Sequence, residues 1–198
     1  MTDAITVIGV LGLAYLLGSI PFGLLLSRMG GLGDIRETGS GNIGATNVLR
    51  SGNKFIAALT LLTDIAKAIV ASLVATEFVG FPTAYWAGLA ALLGHIFPVW
   101  LGFKGGKGVA VFIGTSLVIS PLPGLTLLSV WLLVAVISRR SSLAALIATI
   151  SVPIYMVVLG EVYGAIVVGV QVGVIYWAHR ENISRLIKGE EPRIGQSA

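Results

Sequence analysis

Apolar and polar positions fall in long blocks along this chain rather than at the short periods of a soluble amphipathic fold. Residues 4–27 carry no charged side chain, and about 20 apolar residues suffice for a helix to cross a bilayer. A polar stretch from Arg28 to Lys54 follows. A second apolar run, 55–76, is interrupted by Asp64 and Lys67, and a third covers 78–103. Residues 108–138 are uncharged, but Ser-Pro-Leu-Pro-Gly at 120–124 divides them. Two further runs occupy 141–160 and 162–178. The pattern predicts an all-α, polytopic integral membrane bundle of about seven transmembrane helices, forming a single domain over 1–198. The fourth run, 108–119, is short for a full crossing and is expected to be tilted or partly re-entrant. The first run is too long for a signal-peptide core, and no basic segment precedes it.

Loop charges orient these spans. With the N-terminus outside, the inside segments are 28–54, 103–107, 138–141 and 179–198. They hold every basic residue of the chain except Lys67, which lies within a span, and the outside loops hold none. This distribution follows the positive-inside rule and gives a cytoplasmic C-terminus. The segment 179–198 reads as a short basic cytoplasmic tail of alternating charge.

Composition sharpens the class. Hydrophobic residues make up 56% of 198 and charged residues 11%, with 26 glycines. Soluble domains carry about 25% charged residues, so a soluble enzyme and a disordered chain are both excluded. Abundant glycine suits close packing of membrane helices. The net charge of +4 is topogenic on this reading, and no nucleic-acid partner is expected. The chain has no cysteine, which removes a thiolate nucleophile, disulfides and sulfur-ligated metals.

Candidate chemistry lies in four polar segments of the same membrane face. The first is Gly39–Arg50, GSGNIGATNVLR, with Ser40, Asn42, Thr46, Asn47 and Arg50. A glycine-rich turn that opens a helix presents backbone N–H groups to an anion. With a helix starting near Ala45, Thr46, Asn47 and Arg50 share a face. A flexible loop with a snorkelling Arg explains the same residues. The segment also spells G-x-G-x-x-G, but polar loop precedes it and no βαβ unit is available for a dinucleotide. The second is Gly102–Gly108, GFKGGKG, a compact cationic turn holding Lys104, Gly105, Gly106 and Lys107. It misses P-loop spacing by one residue, and Gly108 stands where Ser or Thr is required. A phosphate cradle of another design and a topogenic helix–helix turn both remain open. Arg139 to Ser142 and His179 to Asn182 complete the set, and each also reads as topogenic or dipole-compensating charge. Together the four suggest anionic substrates at one face.

Within the spans, His95 is either a functional group or a neutral core histidine bonded to a carbonyl. Asp64 and Lys67, at i and i+3, either neutralise each other in the bundle or line a site. No H-x-x-x-x-D, G-x-S-x-G or D-x-x-D cluster occurs, so no metal or cofactor is expected. A transporter for phosphorylated anions is the rival class. One-sided basic residues and the lack of an internal repeat argue against it.

Several motifs resemble one family. GSIPFG at 18–23, GSGNIGATNVLR at 39–50, GHIFPVWLGFKGGKG at 94–108 and HREN at 179–182 are similar to the bacterial membrane glycerol-3-phosphate acyltransferases that use acyl-phosphate, the PlsY family. Asp34–Arg36 and Ser142–Ala144 fit as well. The resemblance spans essentially the whole chain. It implies transfer of a fatty acyl group from acyl-phosphate to the 1-hydroxyl of sn-glycerol 3-phosphate, giving lysophosphatidic acid and phosphate without an acyl-enzyme. This is the first acylation step of phospholipid biosynthesis at the bacterial inner membrane. It further implies that Ser40, Asn42, Thr46, Asn47 and Arg50 line the headgroup site. His95, Lys104 and Lys107, with the backbone of Gly105 and Gly106, would bind phosphate. Ser142 would add a phosphate contact, and His179, Arg180 and Asn182 would close the site. His95, Lys107, His179 and Asn182 are the catalytic candidates. Implied partners are the two substrates, the bilayer and the enzyme that makes acyl-phosphate. Two departures stand out: Ala178 where the family often has Arg, and Ser51–Lys54 in place of a Leu-Gly-Lys-Lys-like turn.

Overall fold

A computed structural model describes residues 3–195. The ends of the expected 1–198 domain and of the 179–198 tail, residues 1–2 and 196–198, lie outside the described residues. Among the described residues ten α-helices follow one another: α1 (Ala4–Ser19), α2 (Phe22–Met29), α3 (Ala45–Arg50), α4 (Lys54–Phe78), α5 (Phe81–Ile96), α6 (Val109–Ile119), α7 (Pro121–Ser138), α8 (Ser141–Val158), α9 (Val162–Ala178) and α10 (Arg180–Lys188). No strand occurs among them.

Local chemistry sets the boundaries. Asp3 caps α1 by accepting the Thr6 N–H at 2.8 Å, and Asn53 caps α4 by accepting the Ile56 N–H at 3.0 Å. Pro21 lacks an N–H and forces Ile20 into an extended conformation, so α1 and α2 part there. Ser120, held extended before Pro121, ends α6 in the same way. Gly189, in the left-handed region, stops α10 and turns the chain back, with the Glu190 N–H donating to Arg185 O at 2.8 Å.

Packing relies on small residues. Ala68, Ala71 and Ala75 of α4 and Ala84, Ala87 and Ala91 of α5 are buried in the main core. A Cβ on Gly18 would overlap the Ala91 carbonyl, and one on Gly94 would overlap the Tyr15 carbonyl. This two-way contact lets α1 lie backbone to backbone on α5, the close approach that membrane helices use when lipid supplies no hydrophobic drive. Large apolar side chains instead point outward, as Leu133, Val136 and Ile137 do on α7. That inversion suits a hydrocarbon surrounding.

Seven apolar elements fall where the hydropathy blocks put them, with one qualification on length. Among the described residues five segments are long and apolar enough to cross a bilayer: Ala4–Met29, Lys54–Phe78, Phe81–Leu101, Pro121–Ser138 and Ser141–Val158. A sixth arises only if α9 and α10, which meet at 63°, count as one. Helix α6 has 11 residues, about 16 Å at 1.5 Å per residue, half of a hydrocarbon core. Helix α6 is thus the short element that the run 108–119 leads one to expect. The breaks at Gly108 and Ser120–Pro121 are the physical cause.

Candidate active site

The four polar segments meet. Ser40, Arg50, Lys107, Ser141, Ser142 and Asn182 border one cavity of about 620 Å³, and a second recess of about 440 Å³ adjoins it through Ser40, Asn42, Arg50 and Lys107. The larger cavity has two characters. Its polar end holds the residues just named. Its other wall is apolar, formed by Leu61 and Ile65 of α4, Ile113 of α6 and Leu128, Trp131 and Leu132 of α7.

Helix α3 starts at Ala45 with Gly44 as its cap. Thr46 Oγ1 lies 3.2 Å from Ser141 Oγ, joining the first segment to the third. Asn47 also borders the larger cavity, but its amide is engaged with the chain. Its Nδ2 donates to Ile35 O (2.9 Å) and Thr38 O (3.1 Å), while its Oδ1 accepts from the Ser40 N–H at 2.9 Å and hydroxyl at 3.2 Å. All of its amide groups are engaged in folding residues 35–40 over α3. Asn42 Oδ1 accepts the Gly44 N–H at 2.9 Å, shaping the turn before α3. Arg50 borders both cavities.

The 102–108 turn behaves differently from a bare N–H cradle. Gly105 N–H donates to Ile96 O and Gly106 N–H to His95 O, both at 3.0 Å. These two donors are already occupied, so the expected phosphate contact from this backbone is not available at 105 and 106. The glycines serve instead to bring the turn onto the end of α5. A Cβ on Gly106 would overlap the His95 ring at Nε2. Lys104 borders the smaller recess, and Lys107 borders both. Burial first, then the neighbouring Arg185 guanidinium, lower the Lys107 ammonium to about 8.

His179 ends α9, with its Nδ1 within 2.8 Å of Ile175 O. Arg180 stacks over Trp177, its guanidinium carbon 4.4 Å from the ring centre, and faces the smaller recess beside Ala178. Asn182, buried at the start of α10, accepts from the Lys107 ammonium. Its Nδ2 donates to Glu191 Oε1 at 2.6 Å. Ser142 Oγ donates to the same oxygen at 2.7 Å, so its proton is directed at Glu191 rather than into the cavity.

Glu191 belongs to no motif and reads in sequence as one more charge of a solvated tail. In the structure it is 5% exposed and accepts from Ser142, Asn182 and Arg185, the last at 2.7 Å. Burial pushes its carboxyl up, but the three hydrogen bonds outweigh that and hold it below the usual carboxylate range. Arg140 Nε donates to Glu191 O at 3.2 Å, and Ile194 N–H donates to Arg139 O at 2.6 Å. The segment after α10 is thus strapped across the cavity. Gly189 followed by Pro192 was the available signal: a helix stop, then a residue that keeps the chain extended.

Deeper, Asp64, Lys67 and His95 form one buried cluster. Lys67 Nζ lies 2.8 Å from Asp64 Oδ1 and 2.9 Å from His95 Nδ1. Asp64 and Lys67 do neutralise each other, and Asp64 and His95 also line the cavity. Among the described residues no group of three or more His, Asp or Glu side chains is placed to hold a metal ion.

Comparisons with known proteins give the family. The sequence model of the family described as Glycerol-3-phosphate acyltransferase matches residues 8–189. The glycerol-3-phosphate acyltransferase of Maricaulis maris is 55% identical over 195 residues, 98% of this chain and 90% of that protein. That of Agrobacterium fabrum is 54% identical over 200 residues, 99% and 98% of the two chains. The crystal structure of PlsY, an integral membrane glycerol 3-phosphate acyltransferase in its glycerol 3-phosphate form, superposes with a TM-score of 0.90 at 40% identity over 96% of each chain. Its lysophosphatidic acid form gives 0.88 at 38% identity, covering 96% of this chain and 95% of that one. The chain belongs to the glycerol-3-phosphate acyltransferase family of the PlsY type, integral membrane acyltransferases of phospholipid biosynthesis.

Proposed function

We propose that this chain, as a single transmembrane domain, moves a fatty acyl group from acyl-phosphate to the 1-hydroxyl of sn-glycerol 3-phosphate. The products are lysophosphatidic acid and inorganic phosphate. The observation that carries this reading is the two-sided cavity, with Ser40, Arg50, Lys107 and Asn182 at one end and an apolar wall from α4, α6 and α7 at the other. A donor with a phosphate head and a fatty tail fits that polarity, and a small anionic acceptor fits the adjoining recess with Lys104 and Arg180.

Acyl-phosphate is an activated anhydride, so the site needs charge neutralisation, an oxyanion donor and an aligned hydroxyl more than a strong base. The hydroxyl oxygen attacks the acyl carbon, the bond from that carbon to the phosphate oxygen breaks, and phosphate leaves with the electron pair. Arg50 and Lys107 offset the phosphate charges, and Asn182 holds the Lys107 ammonium in place. Ser40, Asn42 and Thr46 line the headgroup region. Asn47 acts through the loop that carries Ser40. His179 and Arg180 close the site from the α9–α10 bend. The proton of the attacking hydroxyl passes to the phosphate of the acceptor itself, whose second pKa is about 6. No acyl-enzyme forms. The positive segments orient the site to the cytoplasmic face of a bacterial inner membrane, where the enzyme that makes acyl-phosphate is the partner in supply.

The test is transfer by purified protein in detergent with labelled glycerol 3-phosphate and three donors: acyl-phosphate, acyl-CoA and acyl-carrier protein. Labelled lysophosphatidate from acyl-phosphate alone supports the reading. Product from a thioester donor alone would overturn the donor assignment, and uptake into vesicles without product would point to transport.

A further inference from the structure

We infer that Lys67 fixes His95 as a hydrogen-bond donor toward the cavity, through Nε2–H, and so removes it as the acceptor of the reaction's proton. The inference deepens the acyl-transfer reading above and rests on it for the identity of the group that His95 serves.

Lys67 projects from the middle of α4 and is 5% exposed. Its Nζ donates to Ile20 O at 2.9 Å, lies 2.9 Å from His95 Nδ1, and sits 2.8 Å from Asp64 Oδ1. The carbonyl of Ile20 stands at the break that Pro21 makes between α1 and α2. An ammonium has three protons and no lone pair, and three acceptors surround this one. Asp64 Oδ1 lies outside hydrogen-bonding angles and acts as the ionic partner of the ammonium.

The consequence falls on His95. Facing an ammonium, Nδ1 must present its lone pair. A neutral imidazole carries one N–H, which is then on Nε2. The other partner that Nδ1 could donate to, Asp64 Oδ1, is 3.6 Å away, beyond a hydrogen bond. A second proton on Nδ1 would set an N–H against the Lys67 ammonium. Nε2 faces Gly106, whose missing side chain leaves room for the ring edge, and His95 lines the same cavity as Lys107. His95 therefore offers Nε2–H to an anionic oxygen, on phosphate or on the tetrahedral state of acyl transfer. It has no free lone pair for the attacking hydroxyl. Lys67 is the positioning residue.

The state of the ring is measurable without substrate. The chain has two histidines, so long-range nitrogen–proton correlation spectra of histidine-labelled protein in detergent are assigned with one His179→Asn variant. The expected result is a His95 ring with Nδ1 bare and Nε2 protonated, unchanged from about pH 6 to about pH 8. A ring protonated on Nδ1, an averaged pair of tautomers, or conversion to imidazolium in that range would overturn the inference. Lys67→Met should release the ring into averaged tautomers and lower kcat more than it raises KM for glycerol 3-phosphate. A fixed Nε2–H ring in the folded variant would contradict the role given to Lys67, and the wild-type spectrum decides if the variant does not fold. In activity, His95→Gln keeps an N–H near the Nε2 position, whereas His95→Leu does not. The Leu variant should lose about 10²–10³-fold in kcat, and the Gln variant at least tenfold less. Equal losses would identify a base instead. Failure of acyl-phosphate as donor would sink the functional reading and leave the tautomer measurement standing.

Discussion

Asn182 Nδ2 donates to Glu191 Oε1 at 2.6 Å, and through this bond the strap after α10 is tied to the start of that helix. The same Asn182 side chain accepts from the Lys107 ammonium. A buried carboxylate is thereby linked, through Asn182, to the ammonium of Lys107, which borders both cavities.

Replacing Glu191 should cost both stability and activity. Each hydrogen bond to a buried charged group contributes about 1.5–3 kcal/mol, and Glu191 accepts three. Glu191→Ala should lower the thermal midpoint in detergent markedly. Glu191→Gln, which keeps an accepting oxygen, should lower it less. The pH dependence has a definite sign. The folded carboxyl is held below its ordinary value, so its contribution is complete above about pH 4.3 and is lost as pH falls through the folded value. The wild type should destabilise in that acid window more steeply than the Gln variant.

Lys107 predicts an alkaline limb. Its ammonium, lowered to about 8 by burial and by Arg185, attracts phosphate only when protonated. KM for glycerol 3-phosphate should therefore rise above about pH 8 in the wild type. Lys107→Arg keeps its charge throughout and should show no such rise, whatever its rate. Steady-state kinetics across the alkaline range read the difference.

Two glycines separate packing from composition. A Cβ on Gly106 would overlap His95 Nε2, whereas one on Gly169 of α9 would meet nothing within 4 Å. Gly106→Ala should lose most transfer activity, and Gly169→Ala should keep it and gain a few tenths to about 1 kcal/mol in helix stability. Equal activities in the two variants would show that His95 and the 102–108 turn do not depend on their close contact.

Orientation is open to direct labelling. Cysteines introduced at Lys188 and at Glu77, both exposed and the only thiols present in each variant, should react from opposite faces. Lys188→Cys is expected to label from the cytoplasm and Glu77→Cys from outside. The reverse pattern would place the cavity on the wrong side for a cytoplasmic acceptor.

Hydropathy blocks alone locate every long helix, because a bilayer span must be apolar for its whole length and charges at its ends are conspicuous. The start of α3 at Ala45 is legible from Gly44 and the polar run before it. The shortness of α6 is legible as well, since Gly108 and the Ser-Pro-Leu-Pro-Gly stretch bound an apolar run too short for a full crossing. In the site, residue type marks Ser40, Arg50, Lys107 and Asn182. Their partners are not legible. Asn47 is a polar residue in a motif, yet its amide is spent on Ile35, Thr38 and Ser40. Glu191 looks like one more tail charge until the fold returns it to Ser142 and Asn182. Lys67 and His95 are 28 residues apart, and only the packing of α4 against α5 joins them.

Direct transfer is tested most plainly by a single turnover. Purified protein in excess over acyl-phosphate is mixed with glycerol 3-phosphate and quenched over time, and lysophosphatidate, inorganic phosphate and protein-bound acyl groups are counted together. Direct transfer predicts lysophosphatidate and phosphate appearing at the same rate and in equal amounts, with no acylated protein at any time, and no phosphate release when the acceptor is omitted. A burst of phosphate ahead of lysophosphatidate, matched by acyl groups on the protein, would contradict it.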